Sequence, residues 1–501
     1  MNYSQATLLL IFLYMCFTVW IIYKRATKSK DIRDFALGNG FSPVVVGLSL
    51  AASITSAATF IINPGFVALY GWSAFLAMSV VLPIGLFISL IILSKSFRKY
   101  GSSIKALTLA QWVGKRYDSP FFSILMAFFS LLLLTFIVLI CVGLTKVISS
   151  ATGGHELLIL VCLVLFVFGY TMYGGANTMI YTNTIQAILM LVVAILLLTS
   201  GYEHFNQGLD SFWAKLDLLD PNMSASVNPT SPLFRDWFEV VFCNFIVGIA
   251  IVCQPHIITR SLMLKSDDDI NKYLTVAIVV EALFFFVLFA GFYARMMFPD
   301  LMNDGTPLKM DGILSAYVIK RFSVGVGIIV IMGLIAAGLS TLEGIVQSLS
   351  TTITNDIIAP IAKWEDETQK LHNINKIVIG SLALLSIGIS YQQLLYPNLS
   401  VGILAQNGVY AFFSAAFVPV LFGIFIKNTP KQAAIGASIT AMVVHFSVYY
   451  GELTTYTTGS IRNPAVAATM AILAAVTVGI VLLIVYRKSA VHLEKSSLNK
   501  I

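Results

Sequence analysis

The chain is divided into about thirteen apolar stretches, separated by short polar connectors. They fall at about 6–23, 43–70, 73–94, 120–148, 156–173, 177–201, 237–259, 273–298, 323–353, 376–395, 400–426, 432–450 and 464–486. A helix that crosses a bilayer takes roughly 20 predominantly apolar residues, so most of the 501 residues are used in spans. The composition agrees. Charged residues make up 11% of the chain, against about 25% in a soluble domain, and mean hydropathy is +0.87. This predicts an all-α integral membrane protein of about thirteen transmembrane helices, multi-pass in a plasma membrane, with the lipid bilayer as its surroundings.

The placement of the charges sets the expected orientation. Most of the 31 lysines and arginines fall in the connectors 24–34, 95–116, 256–272, 355–376 and 427–431 and in the tail 487–500. Cytoplasmic connectors hold the excess of basic residues, so the N-terminus is expected outside and the C-terminus inside. The net charge of +7 is spread over short runs with no basic domain, so nucleic acid is not an expected partner. Residues 6–23 are long enough to span, and Lys24, Arg25, Lys28 and Lys30 follow as a stop-transfer flank, unlike a cleaved leader. Cys16, Cys141, Cys162, Cys243 and Cys253 form no CxxC pair and read as small buried hydrophobes.

Three of the apolar stretches are interrupted by polar residues. Residues 51–59 read Ala-Ala-Ser-Ile-Thr-Ser-Ala-Ala-Thr and lead to Asn63-Pro64-Gly65. Either the hydroxyls bond back within an intact helix, or the segment unwinds and exposes carbonyl oxygens to a cavity. The stretch 237–259 carries Asn244, Gly248 and Gln254-Pro255-His256. The two stretches stand at corresponding positions of two five-helix halves, a pairing that points to a transport site near the bilayer midplane. The third, in 323–353, reads Ala336-Ala337-Gly338-Leu339-Ser340-Thr341-Leu342-Glu343-Gly344. Ser340 and Thr341 follow Ala337 by one turn, which brings both hydroxyls near its carbonyl. Small and hydroxyl residues also serve close helix packing, and that reading stays open for the residues alone.

In order along the chain, these motifs resemble the solute:sodium symporter family, which includes proline, pantothenate, sialic acid and sodium/glucose transporters. The resemblance runs from Asp34 to about Lys431. It is carried by Asp34-Phe-Ala-Leu-Gly, Gly47-Leu-Ser-Leu-Ala-Ala-Ser, Tyr173-Gly-Gly, Tyr181-Thr-Asn-Thr-Ile-Gln186, Gln254-Pro-His-Ile-Ile-Thr-Arg260 and Ala415-Ala-Phe-Val-Pro419. It implies a LeuT-type 5+5 inverted-repeat fold. Residues 1–35 would form an extra N-terminal helix and inner loop. Residues 36–426 would form the ten-helix core, with repeats at about 43–201 and 237–426, and 427–501 two further helices and a tail. It also implies a co-transported sodium ion held by backbone oxygens of Ala52, Thr55 and Ala337 and by the hydroxyls of Ser340 and Thr341.

The sequence departs from the family pattern at one place. Members that use a second sodium ion have an aspartate where this chain has Asn183, and hydroxyls where it has Glu343 and Gly344. The acidic function is therefore expected to have moved to Glu343, with Asn183 hydrogen-bonded to it. An intramembrane carboxylate costs about 2.5 kcal/mol or more on insertion scales and marks function by default. Glu343 either binds a second cation, carries a proton, or sits at the bundle surface in water.

By the same analogy the solute lies beside the break in 43–70. The candidates are Ser56, Thr59, Thr135, Asn244, Gln254, Gln406, Asn407 and Tyr410. Phe136 or its neighbour stands where sialic acid carriers have an arginine. Val247 and Ile251 align with the proline carriers' Trp and Tyr. A small, apolar pocket without fixed charge suits a short monocarboxylate, an amino acid or a pantothenate-like acid better than a sugar. Two other functions were weighed. A solute sensor of this fold carries an appended cytoplasmic domain, and about 15 residues follow the last apolar stretch. A proton-coupled symporter would use Glu343 and would not need Ser340 and Thr341. An enzyme is not expected, because no nucleophile–base pair, metal cluster or phosphate loop is present. The sequence sets no oligomeric state.

Overall fold

A computed structural model describes residues 3–25, 31–38, 40–104, 106–364, 367–396 and 401–498. The basic flank at 26–30 thus lies outside the described residues. The helices that matter here are α1 (Ser4–Lys24), α2 in two halves (Pro43–Ile54 and Ala58–Tyr70), α3 (Trp72–Lys99), α4 (Pro120–Thr152), α5 (Glu156–Thr199) and α6 in two halves (Phe238–Ile251 and Pro255–Met263). They are followed by α7 (Ile270–Met297), α8 (Val324–Ala362), α9 (Thr368–Leu395), α10 (Val401–Phe425), α11 (Lys431–Tyr450) and α12 (Pro464–Arg487). Ten helices are individually long and apolar enough to cross a membrane, and the two bent pairs raise the number to 12 among the described residues.

The 44-residue α5 spans two of the apolar stretches read from sequence, and it is not one continuous helix. Gly175 stands at φ 56° and ψ −163°, a region open essentially to glycine alone. A Cβ there would lie 2.8 Å from the Phe35 ring and 3.0 Å from the Phe35 backbone. The kink falls between the expected stretches 156–173 and 177–201.

Each broken helix is broken for a local reason. In α2 the halves meet at 54°. Thr55 leaves the helix at φ −83°, ψ 88°, and its hydroxyl bonds back to the Ala51 carbonyl at 2.6 Å. Ser56 then accepts the amide of Ala58 at 3.0 Å and caps the second half. The hydroxyls thus act on both stubs, so back-bonding and unwinding are both realised here. In α6 the halves meet at 59°. Pro255 has no N–H to give and forces the preceding residue out of the helical region, and Gln254 is extended at ψ 134°.

The helices α8 and α10 lie at the centre, with most of their side chains buried, whereas α1, α9 and α12 turn large apolar side chains such as Phe12, Leu384 and Ile484 outward. Outward apolar faces are what a bilayer covers. All five cysteines are free thiols. Cys141, Cys243 and Cys253 are buried as expected, but Cys16 and Cys162 are exposed. At the start of α6, Glu239 is wholly buried and takes Arg235 of the preceding connector at 2.9 Å and Asn463 at 2.8 Å. Tyr456 donates to Asp236 at 2.6 Å, tying this connector to the one before α12.

Candidate functional site

A helix that ends inside a membrane leaves its last carbonyls without intrahelical donors. The first half of α2 ends this way, and α8 supplies the missing donors. Ser340 donates to the Ala52 carbonyl at 2.6 Å and lies 3.0 Å from the Ala337 carbonyl. Thr341 donates to the Ser53 carbonyl at 2.9 Å and lies 3.4 Å from that of Ala337. Ser340, Thr341, Ala52, Ser53, Thr55 and Ala337 are all buried. Two hydroxyl and three carbonyl oxygens therefore converge at a helix C-terminal end, where the dipole favours a cation. This donor set suits a hard monovalent ion, and unwound carbonyls at half-helix ends serve sodium in transporters of this kind. Four of the five expected ligands meet here. Thr55 stands one residue past the helix end, with its hydroxyl engaged by Ala51. Ser53 was not foreseen.

One turn further along α8, Glu343 is only 1% exposed, which overturns the reading that puts it at the bundle surface in water. Its carboxyl accepts from three groups of α5: the Tyr170 hydroxyl, the Thr182 hydroxyl at 2.7 Å and the Gln186 amide at 3.0 Å. The same Gln186 nitrogen donates to the Tyr14 hydroxyl of α1 at 2.7 Å. Asn183 does not meet Glu343. Its amide nitrogen donates to the Ser340 carbonyl at 3.3 Å instead, because residues 182 and 186 lie one turn apart on a common face and 183 is turned aside toward Ser340. The side-chain oxygens of Asn183 and Gln186 are buried without a hydrogen-bond partner.

Between the two breaks lies a cavity of about 100 Å³. Ser56, Thr59, Gln254, Gln406 and Tyr410 are on its wall as expected, together with Phe136. Asn63 and His256 complete the polar part. Among the described residues no Asp, Glu, Lys or Arg lines it. Gln254 keeps its side-chain oxygen without a partner, as does the Nδ1 of His256. Three expected residues stand off the wall. Thr135 is bonded to the carbonyls of Leu132 at 2.8 Å and Ala405 at 3.3 Å. Asn244 donates to the Glu239 carbonyl at 2.8 Å. Asn407 pairs with His445 at 2.9 Å and donates to Tyr450 at 3.0 Å. Asn244 is thus satisfied within its own half-helix, Thr135 by its own helix and α10, and Asn407 by α11, and none of the three is on the cavity wall.

The second half of α6 brings in Arg260, which is 1% exposed. Its two terminal nitrogens donate to the hydroxyls of Ser49 at 2.7 Å and Ser53 at 2.9 Å. Gly344 permits this approach, since a Cβ there would stand 2.7 Å from the Ser53 hydroxyl and 3.1 Å from the guanidinium.

The comparisons with known proteins bear on the family and the fold. Residues 35–441 match the model of the "Sodium:solute symporter family". A sodium/pantothenate symporter of Escherichia coli (strain K12) is 26% identical over 443 residues, covering 85% of this chain and 86% of the relative. A sodium/proline symporter of Staphylococcus saprophyticus is 24% identical over 458 residues, covering 88% of this chain and 85% of the relative. In fold, the chain is similar to a Na⁺-coupled sialic acid symporter solved in a substrate-bound, outward-open state, with a TM-score of 0.78 at 18% identity, over 97% of this chain and 98% of that one. The fold is therefore the LeuT-type fold that the motifs implied, and sodium is the ion that couples to solute import in this family. The chain belongs to the sodium:solute symporter family.

Proposed function

We propose that this symporter imports a small solute bearing a carboxylate by alternating access: a short monocarboxylate, an amino acid or a pantothenate-like acid. The observation that carries the reading is the convergence of Ser340 and Thr341 on the carbonyls at the α2 break, directly beside the 100 Å³ cavity. Sodium enters among Ala52, Thr55, Ala337, Ser340 and Thr341, and the solute lies against Ser56, Thr59, Gln254, Gln406 and Tyr410. The second half of α2 begins at the cavity wall, and its N-terminal dipole favours a negative group there. The pantothenate relatives support the acidic end of the range. The chain crosses the membrane thirteen times, α5 counting twice, with the N-terminus outside and the C-terminus inside. Its repeats lie at about 43–201 and 237–426.

Glu343 serves a second cation. Three donors aimed at one carboxyl stabilise its charged form, and one of them, Gln186, keeps a buried side-chain oxygen without a donor. The energetics favour the same reading. An anion moving with one sodium ion crosses without net charge, so a tenfold sodium gradient supports only about tenfold accumulation. With two ions, the gradient and about 2.3 kcal/mol from a potential of about 100 mV sum to about 5 kcal/mol, or several-thousand-fold. The deciding experiment is uptake of a labelled acid panel into proteoliposomes, with sodium replaced by potassium or choline. Uptake that depends on sodium supports the reading, and equal uptake without it overturns the reading.

A further inference from the structure

We propose that Arg260 forms a second station for the solute's carboxylate, one step beyond the cavity, and that Ser53 couples this station to the sodium site. The inference rests on the symport reading above and adds a site and a substrate class to it.

A guanidinium buried in a membrane protein is costly unless a negative group answers it. Among the described residues no carboxylate lies within ion-pair distance of Arg260. Its partners are neutral: the Ser49 and Ser53 hydroxyls, the His256 carbonyl at 3.3 Å and the Met179 sulfur at 3.6 Å. Glu343 is the opposite charge that acts on it from a greater distance.

The position of Arg260 is that of a relay. It lines a second, smaller cavity of about 20 Å³ whose other walls include Thr108, Gln347 and Thr351. His256 belongs to the walls of both cavities. A solute leaving the first cavity past His256 therefore meets Arg260 next. The small cavity has room for one water, so a carboxylate enters as Ser49 and Ser53 give way. These two hydroxyl oxygens already sit on the two arms of the guanidinium fork, 2.7 and 2.9 Å away. A carboxylate offers two oxygens to the same fork, bidentate and charge-assisted.

The exchange reaches the ion. Ser53 gives its hydroxyl to Arg260 and its carbonyl to Thr341. A carboxylate that takes Arg260 from Ser53 loosens the helix end that the sodium site is built on. Arrival of the anion at this station thus weakens the hold on sodium, by linkage, so ion and solute are released toward the same side.

The test uses the full chain in proteoliposomes, with sodium-driven uptake of labelled pantothenate and short straight-chain acids, each beside its uncharged alcohol or amide. Arg260→Gln is expected to lower uptake of the acids tenfold or more and of the uncharged partners less than twofold. Arg260→Lys keeps the charge without the fork and should keep the preference for acids at several-fold lower rate. A single symmetric size-exclusion peak and a thermal midpoint near that of the unaltered chain show that each variant is folded. If Arg260→Gln does not fold, Arg260→Lys decides: equal transport of acid and uncharged partner overturns the station. Equal loss for both partners in Arg260→Gln also overturns it, while sodium-driven uptake by the unaltered chain leaves the symport reading standing. If no panel member moves with sodium in the unaltered chain, both fall.

Discussion

The hydroxyl of Ser340 in α8 reaches the carbonyl oxygen of Ala52 in α2 at 2.6 Å, at the end of a helix that stops within the membrane. The bond joins the two halves of the proposed sodium site, and the same two oxygens would face an ion there. Removing either hydroxyl of α8 takes away one ion ligand and one donor to an orphaned carbonyl. A buried group left unsatisfied costs about 1–3 kcal/mol. Ser340→Ala and Thr341→Ala are therefore each expected to raise the sodium concentration for half-maximal uptake by about 10- to 100-fold. Sodium titration of uptake, with ²²Na⁺ binding to the purified variants, checks this. An unchanged sodium dependence in both variants would remove the site from this place.

The Glu343 carboxyl accepts from Tyr170, Thr182 and Gln186 of α5. If it holds a cation, protons compete for it, and uptake at low sodium falls as the outside is acidified. Glu343→Gln keeps the shape, removes the charge and should flatten that dependence. It should also lower the ratio of sodium to solute moved by about one. A proton carrier gives the opposite sign: uptake in the unaltered chain rises with outside acid, and the glutamine variant loses the rise. Flux ratios measured with ²²Na⁺ and labelled solute at two external pH values separate the two.

Much of this site was legible in the sequence, and its limits have a physical cause. A proline after Gln254 marks backbone that cannot remain helical, whereas the hydroxyls of residues 51–59 fit an intact helix as well as a break, and only their pairing with the second interrupted stretch pointed to unwinding near Thr55. Ser340 and Thr341 could be read because helical spacing ties them to Ala337. Partners contributed by other elements could not. Asn183 stands next to Thr182 in sequence, yet it faces Ser340 while Thr182 and Gln186 face Glu343. Nothing in the sequence pairs Tyr170 with Glu343. His256 and Arg260 lay within a matched motif, but their place between two cavities depends on how the second half of α6 turns. Asn244 and Asn407 were expected at the cavity by analogy with the family. Each instead satisfies a neighbour.

Gly175 carries the kink of α5 at a positive φ. An alanine there meets Phe35 at 2.8 Å and adopts a conformation that costs about 1–3 kcal/mol. Gly175→Ala is expected to lower the thermal midpoint of the detergent-solubilised protein by about 1–3 °C. Gly169, in the same helix, has no atom within 4 Å of an added Cβ, so Gly169→Ala should leave the midpoint unchanged or raise it slightly. Thermal-shift measurement on both variants checks this. Equal midpoints would mean that α5 does not need the glycine conformation.

The cavity wall separates two residues that the sequence treated alike. Gln254 is on the wall with its side-chain oxygen unpartnered, so it is free to accept a hydrogen bond from a solute. Asn407 is turned to His445 and Tyr450 and has nothing to offer the cavity. Gln254→Leu removes the acceptor and retains an apolar side chain of similar size. It should raise the solute concentration for half-maximal uptake by about tenfold, the worth of one hydrogen bond of about 1.4 kcal/mol. Sodium binding in the absence of solute should be unaltered, because the residue is not among the ion ligands. Asn407→Leu should change solute affinity by less than about twofold and act on stability instead, since it leaves His445 and Tyr450 without their partner. Uptake titrated against solute at saturating sodium, with a thermal midpoint for each variant, reads both effects. The reverse ranking, with Asn407→Leu the more damaging to solute affinity, would place the solute against α10 and α11, away from the α2 and α6 breaks.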